Sequence, residues 1–508
     1  PSAEDESVER APRRCRWGVA GRLDPVWVVA SVAAFLAICW YLRSFVTDDA
    51  WITVRYAENL ANGYGFVWNP GGEPTEGFSH PLLFLAEALA HLVRGSALGT
   101  ARVIGVASGV GLLLAMYRLA PSVVGRTATW VSLTLTALYA PLALWAVGGL
   151  ETLPMALATT VAVLLLARPD PGRHHALSGG LVLATLPWLR PEGLAVALGV
   201  ALVAEAPGLV RKDRRAGLVR LALAAGPPLV SQGVLEILRL AIYGHLLPNS
   251  AIYKSGSDQT YDVLLKFVAQ GKPVLLVALL GLVVARSRQR VLIVPCAIYA
   301  LGSIGTLDSA NGLSRFFLPT WPQLALLVGL AVAFACDRLG RLGAPAAIAA
   351  TLLLLVAVSL PLRDSRLLQA DPVVRYSTCQ QGARVDAARW LRTNTARDAV
   401  LSISDAGLVP ARSGGRTAID QLLLNEALIQ RTGPLPVSRR VNYVYGRRPD
   451  VMILASRSPR RFKGRYAIDQ RLARDSRSSG FELAEVARGR GEGCRYHLFI
   501  YRRATGLA

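Results

Sequence analysis

The chain has 508 residues, of which 52% are hydrophobic, and a mean hydropathy of +0.37. A soluble globule is not this apolar over its whole length, so composition indicates a polytopic α-helical membrane protein. The formal net charge of +22 is carried mostly by Arg residues in short loops between apolar runs. That distribution reads as topology signal and as contact with membrane lipid headgroups, and it argues against nucleic-acid binding.

The first 25 residues read as a basic cytoplasmic N-terminus leading into an uncleaved signal-anchor at 26–46. That apolar run is about 20 residues, the length that spans a bilayer. Directly after it comes a polar stretch, 47–81. Asp48 and Asp49 stand where the chain leaves the membrane, a place where ionisable groups are functional candidates. Thr47 can cap a helix whose first turn holds both carboxylates. Arg55 follows Asp48 by two helical turns and shares its face. Gly63, Gly65 and the turn at 69–72 then end the helix. The plain alternative is a capped, solvated surface loop.

About eleven spans are expected: 26–46, 100–117, 128–147, 151–167, 176–190, 192–206, 217–243, 273–286, 291–307, 316–335 and 344–362. The short basic loops 168–175, 208–217, 285–290 and 337–343 fall on the cytoplasmic side if the N-terminus is inside. The apolar stretch 81–94 contains Glu87 and His91 and is too short to cross, so it reads as an interfacial helix. With this parity, the polar stretches 48–80, 148–152, 189–193, 243–254 and 308–319 share the outer face.

From residue 363 the apolar runs stop. Alternating stretches at 399–404, 450–456 and 495–503, with a helical pattern at 385–393, read as a small extracytoplasmic α/β domain, 363–508. Cys379 and Cys494 lie in it and either pair as a disulfide or stay free. Cys39, Cys296 and Cys336 fall in apolar runs and read as core residues.

Several polar residues on the outer face are site candidates, each with a structural alternative. Glu151 starts a helix and either complements its dipole or serves a site. Arg190 and Glu192 form either a structural pair or part of a site. His80 precedes Pro81 and is structural or functional. Lys254, beside Asn249 and Tyr253, either snorkels at the interface or binds a phosphate. Arg315 either anchors to lipid headgroups or grips a phosphate bidentately. Together they describe carboxylates for proton or nucleophile work and cations for an anionic leaving group, as cleavage of a lipid-linked phosphosugar requires. No complete metal ligand set is visible, although the paired aspartates are a possible site for a divalent cation.

The segments DDAWITVRYAENLANGYGFVWNPGGEPTEGFS, GLET, LRPEG, YGHLLPNSAIYK and RFFLP occur in this order. They resemble the GT-C superfamily of polytopic glycosyltransferases, and within it the actinobacterial arabinofuranosyltransferase B family. The resemblance covers roughly 45–320. It implies a multi-pass plasma-membrane enzyme with an outward-facing site. It also implies a decaprenyl-phosphoryl-arabinofuranose donor, an arabinan acceptor in arabinogalactan or lipoarabinomannan, and a terminal β-(1→2) product. The superfamily's essential acid maps onto Asp48 or Asp49. A β-linked donor and product mean net retention, which two carboxylates can deliver. Other readings are a GT-C transferase of another polyprenyl-phosphate sugar such as mannose, or a lipid-linked-sugar transporter or non-catalytic assembly subunit. No internal repeat of the transporter kind is visible.

Overall fold

The computed structural model describes residues 20–169, 172–210, 214–255, 262–303, 312–364, 376–491 and 493–504. The membrane part is helical. Among the described residues, four helices are long and apolar enough to cross a bilayer: Ala97–Val124, Gly193–Val210, Arg214–Tyr243 and Arg315–Leu339. Arg126–Ala137 and Ala140–Val147 make a fifth if their 55° bend lies within one span. Four shorter apolar helices, Pro25–Tyr41, Thr152–Leu166, Gly271–Val284 and Gly343–Ala357, lie largely within further expected spans. The shortfall has a local cause. The expected span 176–190 breaks into Arg173–Leu183 and Leu186–Leu189, where Pro187 and then the extended residue Arg190 interrupt the helix. The 81–94 stretch forms the 12-residue helix Pro81–Leu92, too short to cross as expected.

The helix Arg315–Leu339 is the centre of the bundle, with 83% of its apolar window buried, against 17% for Arg214–Tyr243 at the rim. Small residues let its neighbours approach. A Cβ at Gly281 would meet Leu327 O at 1.8 Å, and one at Gly329 would meet Ala128 O at 2.3 Å. Ser132 Oγ also donates to Ala325 O at 2.9 Å.

Residues 376–504 hold a five-stranded sheet in the order β2-β1-β3-β5-β4. The strands are β1 (Leu401–Ile403), β2 (Ala418–Asp420), β3 (Val451–Ser456), β4 (Phe481–Arg488) and β5 (His497–Arg503). β1 runs parallel to β2 and β3, with Ile403 opposite Asp420 and Ile453. β5 runs antiparallel to β3 and β4. β3 is buried along its whole length, which is why it is a continuous apolar run. Cys379 and Cys494 are joined as a disulfide across 115 residues of chain.

One face of this sheet is covered only in part by its own domain, through Ala383, Ala387 and Leu391 of the helix Gly382–Asn394. Leu401, Ile403, Ile453 and Leu498 form a single core with Ile52, Tyr56, Trp68, Phe78 and Phe84 of the stretch after the first span. The polar loop that sequence assigns to the membrane domain therefore packs as a layer of the soluble one. Tyr56 is fully buried and its hydroxyl meets Thr75 Oγ1 at 2.7 Å. The other face packs Ile419, Met452 and Leu454 on Ile468, Leu472 and Phe481.

Two buried acids make this domain sensitive to pH. Burial raises Asp420 and Asp469 each to about 7, despite the hydrogen bonds they accept. A carboxyl raised in the fold contributes stability that is complete below its unfolded value and lost as pH rises through 7. The unfolding temperature of the C-terminal sheet domain is therefore expected to fall from about pH 4 to pH 7 and to level off above about pH 8. Thermal scans of the purified chain check this, and Asp469→Asn should flatten the decline.

Candidate functional site

The first apolar helix ends at Tyr41, and α2 (Asp48–Ala61) starts after a short turn. Thr47 occupies the N-cap position in extended conformation but its side chain makes no capping hydrogen bond. Its backbone N–H instead donates to Gly148 O at 3.2 Å, which joins α2 to the turn before Glu151. Successive helical residues point about 100° apart, and the two aspartates have different surroundings.

Asp48 turns to the soluble domain. Its carboxylate accepts from Gly407 N at 3.2 Å and Leu408 N at 3.0 Å, and pairs with Arg384 Nε at 3.2 Å. Only 12% of its side chain is exposed. Burial pushes it up to about 6 against the pull of Arg384. The same guanidinium binds Asp405 at 2.8 Å. Burial would raise Asp405 too, but Arg384 and Arg465 outweigh it and hold the carboxyl at about 2.

Asp49 faces the other way. Its side chain is 58% exposed, and it meets Arg315 Nη1 at 3.3 Å. Arg315 in turn contacts Glu151 at 3.3 Å. Glu151 is 1% exposed and is also reached by His80 Nδ1 at 3.1 Å and Arg190 Nη1 at 3.2 Å. His80 Nε2 lies 2.8 Å from Thr53 Oγ1, so the ring ties α2 to Glu151. Arg190 also pairs with Glu192. Charges thus alternate through Asp49, Arg315, Glu151, Arg190 and Glu192. The turn that delivers Glu151 depends on Gly149, which has φ +84° and would place a Cβ 3.0 Å from Ala50.

Aromatic rings wall this network. Arg315 lies 5.3 Å from the Trp145 ring centre, and Arg190 lies 4.9 Å and 5.8 Å from those of Phe316 and Tyr299. Three buried donors here have no acceptor among the described residues: Arg315 Nε, Trp145 Nε1 and Tyr299 Oη. Buried donors are normally paired, so these three suit a ligand rich in oxygen atoms.

The sequence candidates therefore separate into two groups. Asp49, His80, Glu151, Arg190, Glu192 and Arg315 come together. Asp48 joins Arg384 instead. Arg55, expected at the donor site, faces away from it: its guanidinium donates to Trp68 O at 2.8 Å, Asn69 Oδ1 at 2.9 Å and Arg416 O at 2.9 Å, and also to Pro410 O. Asn249 likewise donates to Leu424 O and Glu426 O. Tyr253 has Arg440 beside it. All three are committed to the soluble domain. The side chain of Lys254 lies outside the described residues.

The paired aspartates are a possible divalent-cation site in the sequence. They diverge, and each already faces a guanidinium. Among the described residues no group of three His, Cys, Asp or Glu side chains is placed to hold a metal. The buried pair Glu76–Arg239, bidentate at 2.9 and 3.1 Å, fastens the end of the loop to the helix Arg214–Tyr243. Its signal in the sequence is an Arg inside an apolar run.

Residues 374–499 match a family model described as a domain of unknown function, DUF8728. No curated protein matches the sequence. Among solved structures, ArnT from Cupriavidus metallidurans bound to undecaprenyl phosphate is similar with a TM-score of 0.56 at 14% identity, over 95% of this chain and 99% of that one. AglB from Archaeoglobus fulgidus, in complex with an inhibitory peptide and a dolichol-phosphate, is similar with a TM-score of 0.56 at 13% identity, over 85% of this chain and 69% of that one. The archaeal protein is also known in complex with Zn and sulfate. Arabinofuranosyltransferase AftD from Mycobacteria has a TM-score of 0.50 at 15% identity, over 96% of this chain but only 42% of its own length. At these identities the likeness shows the fold alone: a polytopic helical bundle with a small C-terminal sheet domain.

Proposed function

We propose that this chain is a plasma-membrane glycosyltransferase that moves arabinofuranose from decaprenyl-phosphoryl-arabinofuranose to the non-reducing ends of arabinan, in a terminal β-(1→2) linkage. Its site and soluble domain face the extracytoplasmic side. The observation that carries this reading is the exposed carboxylate of Asp49 beside the Arg315–Glu151–Arg190 network, with three buried donors unspent. Structural neighbours that hold undecaprenyl phosphate and dolichol-phosphate support a lipid phosphate as ligand. The motif resemblance and the arabinofuranosyltransferase neighbour support the sugar.

In this reading Arg315 and Arg190 hold the donor phosphate, and Glu151 and His80 hold the arginines. Asp49 attacks the anomeric carbon, and the C–O bond breaks with its electron pair leaving on the polyprenyl phosphate. The acceptor hydroxyl then attacks the same carbon and releases Asp49. Its proton passes to the phosphate lying between the guanidinium groups. Two displacements at one carbon give net retention.

Initial rates with short-chain polyprenyl-phosphate arabinofuranose and mannose test the sugar. Arabinose transfer with a β-(1→2) product by NMR is expected. Mannose transfer in its place would move the chain to the other donor class, and transfer of neither would favour a transporter or assembly subunit. The phosphate role makes a second expectation. A hydrogen bond to a charged group contributes about 1.5–3 kcal/mol, so Arg315→Ala should raise the donor KM by about 10–100-fold. The acceptor KM should change little. An unchanged donor KM would remove Arg315 from the phosphate site.

A further inference from the structure

In open α/β sheets, ligands bind outside the carboxyl ends of parallel strands, where the strand order reverses. In this domain the order reverses beside β1, which has β2 on one side and β3 on the other. The residues just after β1 are Ser404, Asp405, Ala406 and Gly407. That crevice is already filled, and its occupant is Asp48. The carboxylate takes the N–H groups of Gly407 and Leu408 and the Arg384 guanidinium. The fit is close: a Cβ at Gly407 would lie 2.1 Å from Asp48 O and 2.5 Å from its Cγ.

Other contacts extend this seat. Asn69 pairs with both backbone groups of Ala418 on the outer strand β2, at 2.8 and 2.9 Å. Gln381 Nε2 donates to Val46 O at 2.9 Å, next to the start of α2. Arg384 itself is held from the far side. Tyr496 and Tyr466 donate to Asp405, which binds Arg384, and Arg384 lies 4.6 Å from the Tyr496 ring centre. The Cys379–Cys494 disulfide ties the segment leading to Arg384 to the one leading to Tyr496.

We infer that the soluble domain is the holder of the active-site helix: Arg384 and the Gly407–Leu408 backbone grip Asp48 and so aim Asp49 at Arg315. This rests on the proposed role of Asp49. Arg384 is then a positioning residue that acts on the reaction through Asp48. A displacement of about 1 Å at a reacting group costs on the order of 100-fold in rate, so a loosened grip reaches the chemistry without touching the substrate.

The test uses the full chain in nanodiscs. Arg384→Gln and Asp48→Asn probe one contact from its two sides, so a folding failure of the buried Arg384 variant leaves the other informative. Each is expected to lower kcat about 10–100-fold with little change in donor KM. Each is then combined with Glu73→Cys and Arg431→Cys, an exposed pair that spans the same interface, and closed with a short bismaleimide. Cross-linking should restore most of the lost turnover to the Arg384 and Asp48 variants and none to Asp49→Asn. Wild-type turnover in both variants would overturn the inference. So would a loss that the cross-link leaves unrepaired, which would make Asp48 itself a reacting group. Spin labels on the same two cysteines give a readout without substrate. A widened distance distribution in Arg384→Gln supports the holder role even if no lipid donor is turned over, and that outcome would count against the proposed activity alone.

Discussion

Asp49→Asn is expected to lower turnover by about 10²–10⁴-fold, the usual cost of removing a reacting carboxylate, while thermal unfolding stays nearly unchanged. The argument rests on exposure and on contacts. The Asp49 side chain is 58% exposed, and its charged partner among the described residues is Arg315. An exposed ion pair contributes about 0–1 kcal/mol, so the fold loses little. Yet Asp49 is the carboxylate of the network that both reaches solvent and stands at the exit of the first span. A sugar whose lipid tail stays in the bilayer meets that position first. Turnover with an arabinosyl donor, measured beside a melting curve, checks both halves. Near-normal turnover would return Asp49 to the role of a surface cap.

Glu151→Gln is expected to fail differently, losing both activity and stability. Glu151 is 1% exposed and answers two guanidinium groups, Arg315 and Arg190, and the His80 ring. Removing one partner of a buried charge pair costs about 3–5 kcal/mol, because the other charge is left unpaired in low dielectric. Gln keeps the shape and offers an N–H where the guanidinium groups need an acceptor. A clear drop in unfolding temperature should accompany the loss of transfer, and the donor KM should rise because the arginines lose their seat. If Glu151→Gln melted like the parent chain, the network would be less tightly built than its distances indicate. The contrast with Asp49→Asn separates the reacting carboxylate from the one that organises the site.

Much of the architecture is legible in the sequence because membrane spans and buried strands write themselves as apolar runs. The apolar runs end at residue 363, beside the end of the helix Gly343–Asp364, and β3 is visible as an uninterrupted apolar segment. The outer-face logic gathers His80, Glu151, Arg190, Glu192 and Arg315 from stretches far apart in the chain, and the structure brings them together. Long-range packing is what periodicity does not show. Arg55 and Asn249 are charged or polar residues in the right loops, but each donates to backbone carbonyls of a domain more than 170 residues away. Arg384 and Asp405 give no signal because their meaning depends on Asp48 entering the crevice beside β1. The division of labour between adjacent aspartates is likewise a matter of which neighbour each face of α2 meets. Helix breaks such as the one at Pro187 explain why fewer helices reach full span length than the apolar runs suggest.

The most direct measurement is a cryo-EM structure of the full-length Asp49→Asn variant with a short-chain polyprenyl-phosphate arabinofuranose bound. The substitution slows turnover and keeps the donor intact. The expected density places the phosphate within hydrogen-bond reach of Arg315 and Arg190, with the anomeric carbon about 3–3.5 Å from the residue 49 side chain. A donor bound at another face of the bundle, or one whose anomeric carbon lies beside Asp48 instead, would contradict this account.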